Sequence, residues 1–380
     1  MKKVLFIFIS FFLIIGVKAE SALAPNAKSS IMIEASTGEI IYSNNEHEKL
    51  APASMTKIMS LLLIMESIDN NIINLDDKIT ISENASSMGG SQILLETGEE
   101  MIVDDLLKGI TIASGNDAVV ALAEAIAGTE ENFVSMMNAK VKELGLKDTN
   151  FKNCHGLDTE GHYSSAYDMA MISKELVKHQ KILDYSSIYE TYLRENTDKK
   201  IWLVNTNKLV RFKKGVDGLK TGYTETAGYC LTATMKKDNM RIIATVMGES
   251  DSKTRNSEVS SMLDYAFAQY ELKTLLTKNK VLRKINLSSA NDSIEVVPKT
   301  DVNVLIKKSN KNNSYTYKSK INDIKLPVKK GDNVGYIKVL ENGKEINRIN
   351  LTVKNSIDKS NLIELYLKNI RNILSGDINF

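Results

Sequence analysis

Pro52-Ala53-Ser54-Met55-Thr56-Lys57-Ile58-Met59 sets a serine and a lysine three residues apart at the mouth of a strongly apolar run. Ile58, Leu61, Leu62, Met65 and Ile68 recur at three- and four-residue steps, a spacing that predicts a helix from about Ser54. On such a helix Ser54 and Lys57 share one face and their side chains can meet. A serine hydroxyl is a poor nucleophile until a neighbour takes its proton. Lysine can do so only if desolvation or nearby donors and cations lower its pKa. The apolar residues around Lys57 supply the desolvation, and the helix N-terminus turns N–H groups toward an anion forming near Ser54.

Two more short strings follow at wide separation, Ser114-Gly115-Asn116 and Lys220-Thr221-Gly222. Each is weak alone. Ser-x-x-Lys recurs at Ser250–Lys253 and Ser356–Lys359, and Ser-x-Asn at Ser43–Asn45 and Ser289–Asn291. Read singly, Ser114–Asn116 is a plain turn and Lys220–Gly222 a surface turn. Only Ser54 stands at the head of an apolar helix with the other two strings behind it. Ser114 and Asn116 fall at an interruption in a helical pattern, where a hydroxyl can relay a proton and an amide can hold a peptide group. On a strand facing the nucleophile, Lys220 and Thr221 can bind a carboxylate while Gly222 leaves room for close approach.

Outward from these strings the chain divides. Residues 30–43 read as strand, turn, strand. Val103 to Ala127 is helical with a break near 113–116, and Phe133 to Leu144 is amphipathic. Gly228–Thr234 and Arg241–Met247 read as strands about a Lys236–Asn239 turn, and a closing helix is expected from about Ser257 to Tyr270. This is an α/β (α+β) layout with an antiparallel sheet and a helical middle, over residues 20–272. Residues 285–354 carry short alternating runs and an Asn342-Gly343 hairpin cue, which predicts a small all-β domain joined near 272–284. Over 356–378, Leu362, Ile363, Tyr366, Leu367, Ile370, Ile373 and Leu374 share a helical face opposite Glu364, Lys368, Arg371 and Asn372. That amphipathic helix suits the plane of a membrane surface, the reading favoured over packing on its own domain or a dimer seam because the helix is terminal and follows a domain that looks complete.

Composition narrows the classes. Forty-nine basic against 47 acidic residues give a net charge of +2, too weak for a nucleic-acid binder. Met1-Lys2-Lys3, the 14-residue apolar run Val4–Val17 and Lys18-Ala19 read as a secretory signal peptide over residues 1–19, too short for a spanning helix of about 20 residues. Its loss would remove Lys2, Lys3 and Lys18 and leave a charge of −1. Cys154 and Cys230 are expected to be free thiols, Cys230 packing as a small hydrophobe. Four histidines without ligand spacing predict no metal site, and no cofactor is expected.

Taken in order, the three strings resemble the signature of penicillin-binding proteins and class A β-lactamases. The wider chain resembles the low-molecular-mass penicillin-binding proteins, the serine-type D-alanyl-D-alanine carboxypeptidases. The similarity extends to Gly89-Gly90-Ser91-Gln92, Leu106–Gly109, Asn153–Leu157, His162–Met169, Gly218–Thr224 and, in the β region, Pro327–Asp332. The resemblance implies a penicillin-binding-protein-like transpeptidase domain and a serine acyl-enzyme on Ser54, with Lys57 as base and Ser114 as proton relay. It implies substrate contacts from Asn116, Lys220, Thr221 and Gly222, an oxyanion site between the N–H groups of Ser54 and Tyr223, and a carboxylate-binding arginine at Arg255. His155 is expected to order a loop. The implied substrates are peptidoglycan stem peptides ending in D-Ala-D-Ala, with β-lactams as covalent inhibitors, and the implied place is the outer face of the cytoplasmic membrane, held peripherally by the tail. Family members often carry proline where Cys154 stands. The competing expectations are a class A-like β-lactamase, which lacks its Glu-x-x-Leu-Asn string here, and a non-catalytic wall- or membrane-bound module.

Overall fold

The computed structural model describes residues 22–287, 289–310, 312–366 and 370. The signal-peptide reading over 1–19 lies outside them. The larger part is built on an antiparallel sheet of β1 (Ser29–Glu34), β2 (Ile40–Asn44), β3 (Val216–Thr224), β4 (Gly228–Lys237) and β5 (Met240–Glu249), in the order β2-β1-β5-β4-β3. Two distant parts of the chain therefore meet at its centre, where Ser29 pairs with Met247 and Glu34 with Ile242. The helical middle is a long excursion between β2 and β3.

The sheet is covered on both faces, which explains its nearly continuous apolar strands. Ile243 and Met247 of β5 join one core with α1 (Lys57–Asp69), while Ile242, Ala244 and Val246 join the other with α5 (Ser252–Gln269). On the α1 side lie α2 (Val103–Ile112), α3 (Asn116–Ala127) and α4 (Ala166–Leu176), with α4 packed on both α1 and the sheet. The apolar face expected of α1 is instead burial nearly all round: residues 57–65 are all buried, because helices and sheet enclose it.

Four sequence expectations are corrected. Ser54 is not in an α-helix; Ala53–Thr56 is a 3-10 turn and α1 begins at Lys57. The closing helix starts at Ser252, because Asp251 caps it, accepting from the Lys253 and Thr254 N–H groups, and its polar first turn hides the apolar period. The connector expected at 272–284 begins as strand: β6 (Tyr270–Leu276) pairs with Val302–Lys307 and buries Leu272 and Leu276. The tail helix does not begin at 356. Val328 pairs with Ile357, which is buried in the β core, and a reciprocal Asn361–Glu364 cap opens a helix at 362. Leu362, Ile363 and Tyr366 are exposed there; 367–369 and 371–378 lie outside the described residues.

The second region is a five-stranded antiparallel sheet, Arg283–Ile285, Ile294–Pro298, Lys344–Val353, Gly335–Glu341 and Tyr315–Ile321 in spatial order. Asn342 and Gly343 both take positive φ at the expected hairpin. Among the described residues no helix is long and apolar enough to cross a membrane.

Candidate active site

The site forms where the 3-10 turn, the α2–α3 break and β3 converge. A 3-10 turn is tighter than an α-turn, and its Met55 N–H donates to the Pro52 carbonyl. Ala53, just ahead of the serine, holds a left-handed φ of 47°. Such strain persists only where the surroundings over-determine it. They do so here: a Cβ on Gly156, whose own φ is +94°, would lie 1.9 Å from the Ala53 carbonyl oxygen. A Cβ on Gly222 would lie 2.7 Å from the Pro52 carbonyl oxygen and 3.2 Å from the Met55 nitrogen. Two glycines thus let a loop and a strand press on the serine turn from two directions.

Lys57 is fully buried, and its Nζ reaches Ser54 Oγ at 3.1 Å, Asn116 Oδ1 at 2.6 Å and the His155 carbonyl at 2.8 Å. Burial, above all, lowers its pKa to about 7. A neutral amine has two N–H groups and one lone pair. With both N–H groups donated to Asn116 and His155, the lone pair points at the Ser54 hydroxyl. The geometry therefore selects the direction in which the proton can move.

Asn116 opens α3, and its Nδ2 donates to the Gly89 carbonyl at 2.7 Å while its own N–H donates to Ser91. One amide hydrogen of Asn116 has no protein partner assigned by these contacts, so it holds Lys57 and can still offer a donor. Asp117 accepts from the Ile93 and Leu95 N–H groups, tying residues 89–95 to the second string. Ser114, between the helices, has φ 66° and a buried Oγ with no hydrogen-bond partner. A buried hydroxyl left unpaired costs about 1–3 kcal/mol, and such a group at a cleft is ready for an incoming one.

Lys220 is also buried; its Nζ donates to the Thr221 carbonyl at 3.1 Å. Burial, then the charges of Lys57 and Arg255, hold its pKa well below the usual amine value. Lys57 and Arg255 thus lie within electrostatic reach of Lys220. Thr221 Oγ1 donates to Thr206 Oγ1 at 2.8 Å, and half-exposed Tyr223 stacks on Tyr229 with centroids 4.3 Å apart. Arg255 lies in the first turn of α5, buried, its guanidinium on Asn256 Oδ1 and the Cys230 carbonyl. Both cysteines are free and buried.

Of the residues singled out from the sequence, Ser54, Lys57 and Asn116 are in direct contact, Gly222 lies against the serine turn with Lys220, Thr221 and Tyr223 on the same strand, Ser114 stands two residues before Asn116, and Arg255 reaches β4 at the Cys230 carbonyl. The support comes from the segment Asn153–Leu157, whose His155 was expected to order a loop; the sequence did not single out Glu130 or the contact of Gly156 with Ala53. His155 contributes its carbonyl; its ring, pushed to about 4 by burial, is neutral, and Nδ1 accepts from the Leu157 N–H. Glu130 accepts from the Cys154 N–H, and Asn153 Oδ1 from the Gly156 N–H, fixing that loop. Asn153-x-x-Gly was the available signal, since only glycine fits the left-handed position against Ala53.

The family profile described as D-alanyl-D-alanine carboxypeptidase matches residues 16–251, and that of the penicillin-binding protein 5 C-terminal domain matches 270–359. The chain is 51% identical over 348 residues to the D-alanyl-D-alanine carboxypeptidase DacF of Bacillus subtilis, covering 91% of this chain and 90% of that one. Penicillin-binding protein 5 of Haemophilus influenzae superposes with a TM-score of 0.72 at 32% identity, covering 88% of this chain and 98% of the other. Penicillin-binding protein D2 of Listeria monocytogenes, solved in an ampicillin-bound form, gives 0.57 at 28% identity over 64% of this chain and 98% of its own. By sequence, fold and the convergence of its three motifs, the chain belongs to the D-alanyl-D-alanine carboxypeptidase family.

Proposed function

We propose that Ser54 is the acyl-enzyme nucleophile of a carboxypeptidase that removes the terminal D-alanine from peptidoglycan stem peptides. The observation that carries this reading is the 3.1 Å contact between Ser54 Oγ and an amine whose other two bonds orient its lone pair. Ser54 Oγ attacks the carbonyl between the two D-alanines as Lys57 takes its proton. The oxyanion forms against the N–H groups of Ser54 and Tyr223, preorganised donors of a kind that is usually a large catalytic term. As the tetrahedral species collapses, the C–N bond breaks and Ser114 Oγ passes the proton from Lys57 to the departing amine. Water then attacks the ester as Lys57 takes its proton, the bond from the acyl carbon to Ser54 Oγ breaks, and Lys57 returns the proton to that oxygen.

The departing residue carries a carboxylate. Lys220, Thr221 and Arg255 form the cationic and hydroxyl end of the cleft that receives it, and Gly222 lets the strand approach. The spare Asn116 N–H takes the substrate's peptide carbonyl. A β-lactam enters by the same attack, but its leaving nitrogen stays tethered to the acyl group, so the adduct persists.

The N-terminal run and the tail support export and peripheral attachment to the outer face of the membrane. Removing residues 362–380 frees the protein while leaving Ile357 in the β core and the activity intact. The function is tested with a fluorescent penicillin and a D-Ala-D-Ala peptide. A stable adduct and released D-alanine are expected, both absent in Ser54→Ala. Fast penicillin turnover without peptide cleavage would instead indicate a β-lactamase.

A further inference from the structure

The β region presents a cationic sheet face that the chemistry above does not use. Ile337, Val339, Leu351 and Val353 turn into its core, so the residues alternating with them face outward. Cross-strand pairing sets Lys318 opposite Lys338 and Lys338 opposite Arg348, three cations in one row about 10 Å long on three adjacent strands. Two residues along, Lys320 lies opposite Tyr336, Tyr336 lies opposite Asn350, and the Lys299 N–H donates to the Asn350 carbonyl. Like charges directly opposite one another cost stability. Glu345 offsets part of this, at 2.6 Å from Lys338 Nζ and 2.7 Å from Arg348 Nη2. Lys318, Lys320 and Lys299 are exposed, with no carboxylate at ion-pair distance among the described residues. Lysines on an edge strand also deter edge-to-edge pairing, but that accounts only for Lys318 and Lys320. Lys338 and Arg348 lie on inner strands, and Lys299 just past another.

We propose that this face is a second membrane contact, which binds the anionic phosphates of lipid headgroups and acts together with the tail. The strip of charge leads toward the tail. Beyond the second row the loop 328–332 folds over Thr352, its Gly331 N–H donating to Thr352 Oγ1 at 2.7 Å, and it carries exposed Lys329 and Lys330. The Lys330 N–H donates to Ser356 Oγ at 3.0 Å, and Val328 pairs with Ile357, five residues before exposed Leu362. The aromatic ring among the two rows, Tyr336, is covered by Arg348, whose guanidinium lies 4.4 Å from its centroid. The face therefore offers charge and nothing to insert, while exposed Leu362, Ile363 and Tyr366 offer the apolar part. Stable attachment takes two such signals, an apolar segment and a polybasic patch, which agrees with release on loss of the tail. A wall polymer of phosphodiesters would present the same charge; the adjoining apolar residues favour the lipid surface.

This inference rests on the reading of the tail as a peripheral membrane attachment, and the test separates the two. Sedimentation measures binding to vesicles of phosphatidylcholine alone and with about 30% phosphatidylglycerol, at about 0.1 M salt, where the Debye length is about 10 Å. The unaltered protein should prefer the anionic vesicles. Each lysine near such a surface is worth about fivefold in affinity, so Lys318→Gln with Lys320→Gln should weaken binding to them about 25-fold. Binding to neutral vesicles and labelling by fluorescent penicillin should not change. Lys299→Gln should cost about fivefold, so failure of one variant to fold leaves the other. Lys214→Gln, at an exposed cation of the catalytic part, should change nothing. If the unaltered protein binds neither vesicle, the attachment reading and this inference fall together. If it binds both alike, if the lysine variants keep the anionic preference, or if Lys214→Gln costs as much as Lys299→Gln, attachment stands and this inference alone is overturned. Tighter binding of soluble polyphosphate than of anionic vesicles, at equal phosphate, would overturn it in favour of a wall polymer.

Discussion

Replacing Asn116 by aspartate puts a carboxylate where a neutral oxygen now lies 2.6 Å from Lys57 Nζ. At an effective dielectric of 20, opposite charges at that distance attract by about 6 kcal/mol before other costs. Part is spent because Asn116 Nδ2 now donates to Gly89 and a carboxylate oxygen cannot. An opposite charge in contact moves a pKa by roughly 1–3, so the Lys57 midpoint should move from about 7 to between about 8 and 10. Lys57 acts as base only when neutral, so activity lies above its midpoint and falls as pH drops through it. With a midpoint near 9, the neutral fraction at pH 7 drops from about one half to about one hundredth, and kcat/KM should fall about 50-fold. Activity should return by about pH 9.5. The assay is the pH dependence of D-alanine release, with fluorescent-penicillin acylation measured in parallel. An acid limb still near pH 7 in Asn116→Asp would refute the assignment of that limb to Lys57. Equal loss at every pH would mean that Asn116 acts on the substrate and not through the lysine.

Three further outcomes are expected. Gly222→Ala should drive a Cβ into the Pro52 carbonyl and slow penicillin acylation by about 100-fold, the usual result of displacing a catalytic group by an ångström; stopped-flow labelling reads it. Gly156→Ala meets both a left-handed φ and the Ala53 carbonyl, and should cost about 3 kcal/mol or more, visible as a fall in Tm of roughly 6–12 °C. His162 is held neutral by burial, its pKa near 4, with Nδ1 accepting from the Lys152 N–H and its other nitrogen 2.8 Å from Thr56 Oγ1. Between pH 6.5 and 4 the unfolded chain binds the extra proton, so stability should fall as pH drops through that window; urea titrations at pH 7.5 and 4.5 should show less of that fall in His162→Asn.

The catalytic motifs were legible because their chemistry is local. Ser54 and Lys57 are three residues apart, and the break near 113–116 interrupts a helical pattern. Four strands of the main sheet, β1, β2, β4 and β5, were legible for the same reason, whereas β3 read by itself only as a turn at Lys220–Gly222. The start of α5 was missed because its first turn is polar and its signal is the Asp251 cap. The true start of the tail helix was missed because nothing local shows that Ile357 pairs with Val328, 29 residues earlier.

The residue types and their order determined the reaction class and the two-part architecture, since hydrophobic period and short-range spacing are properties of the chain itself. Tertiary structure alone decided which way Lys57 aims its lone pair. That direction depends on a carbonyl from residue 155 and an amide from residue 116, brought to one point by packing around a fully enclosed helix. Burial converts an ordinary lysine into a low-pKa base, and burial is a consequence of what folds around a residue, which no local string records.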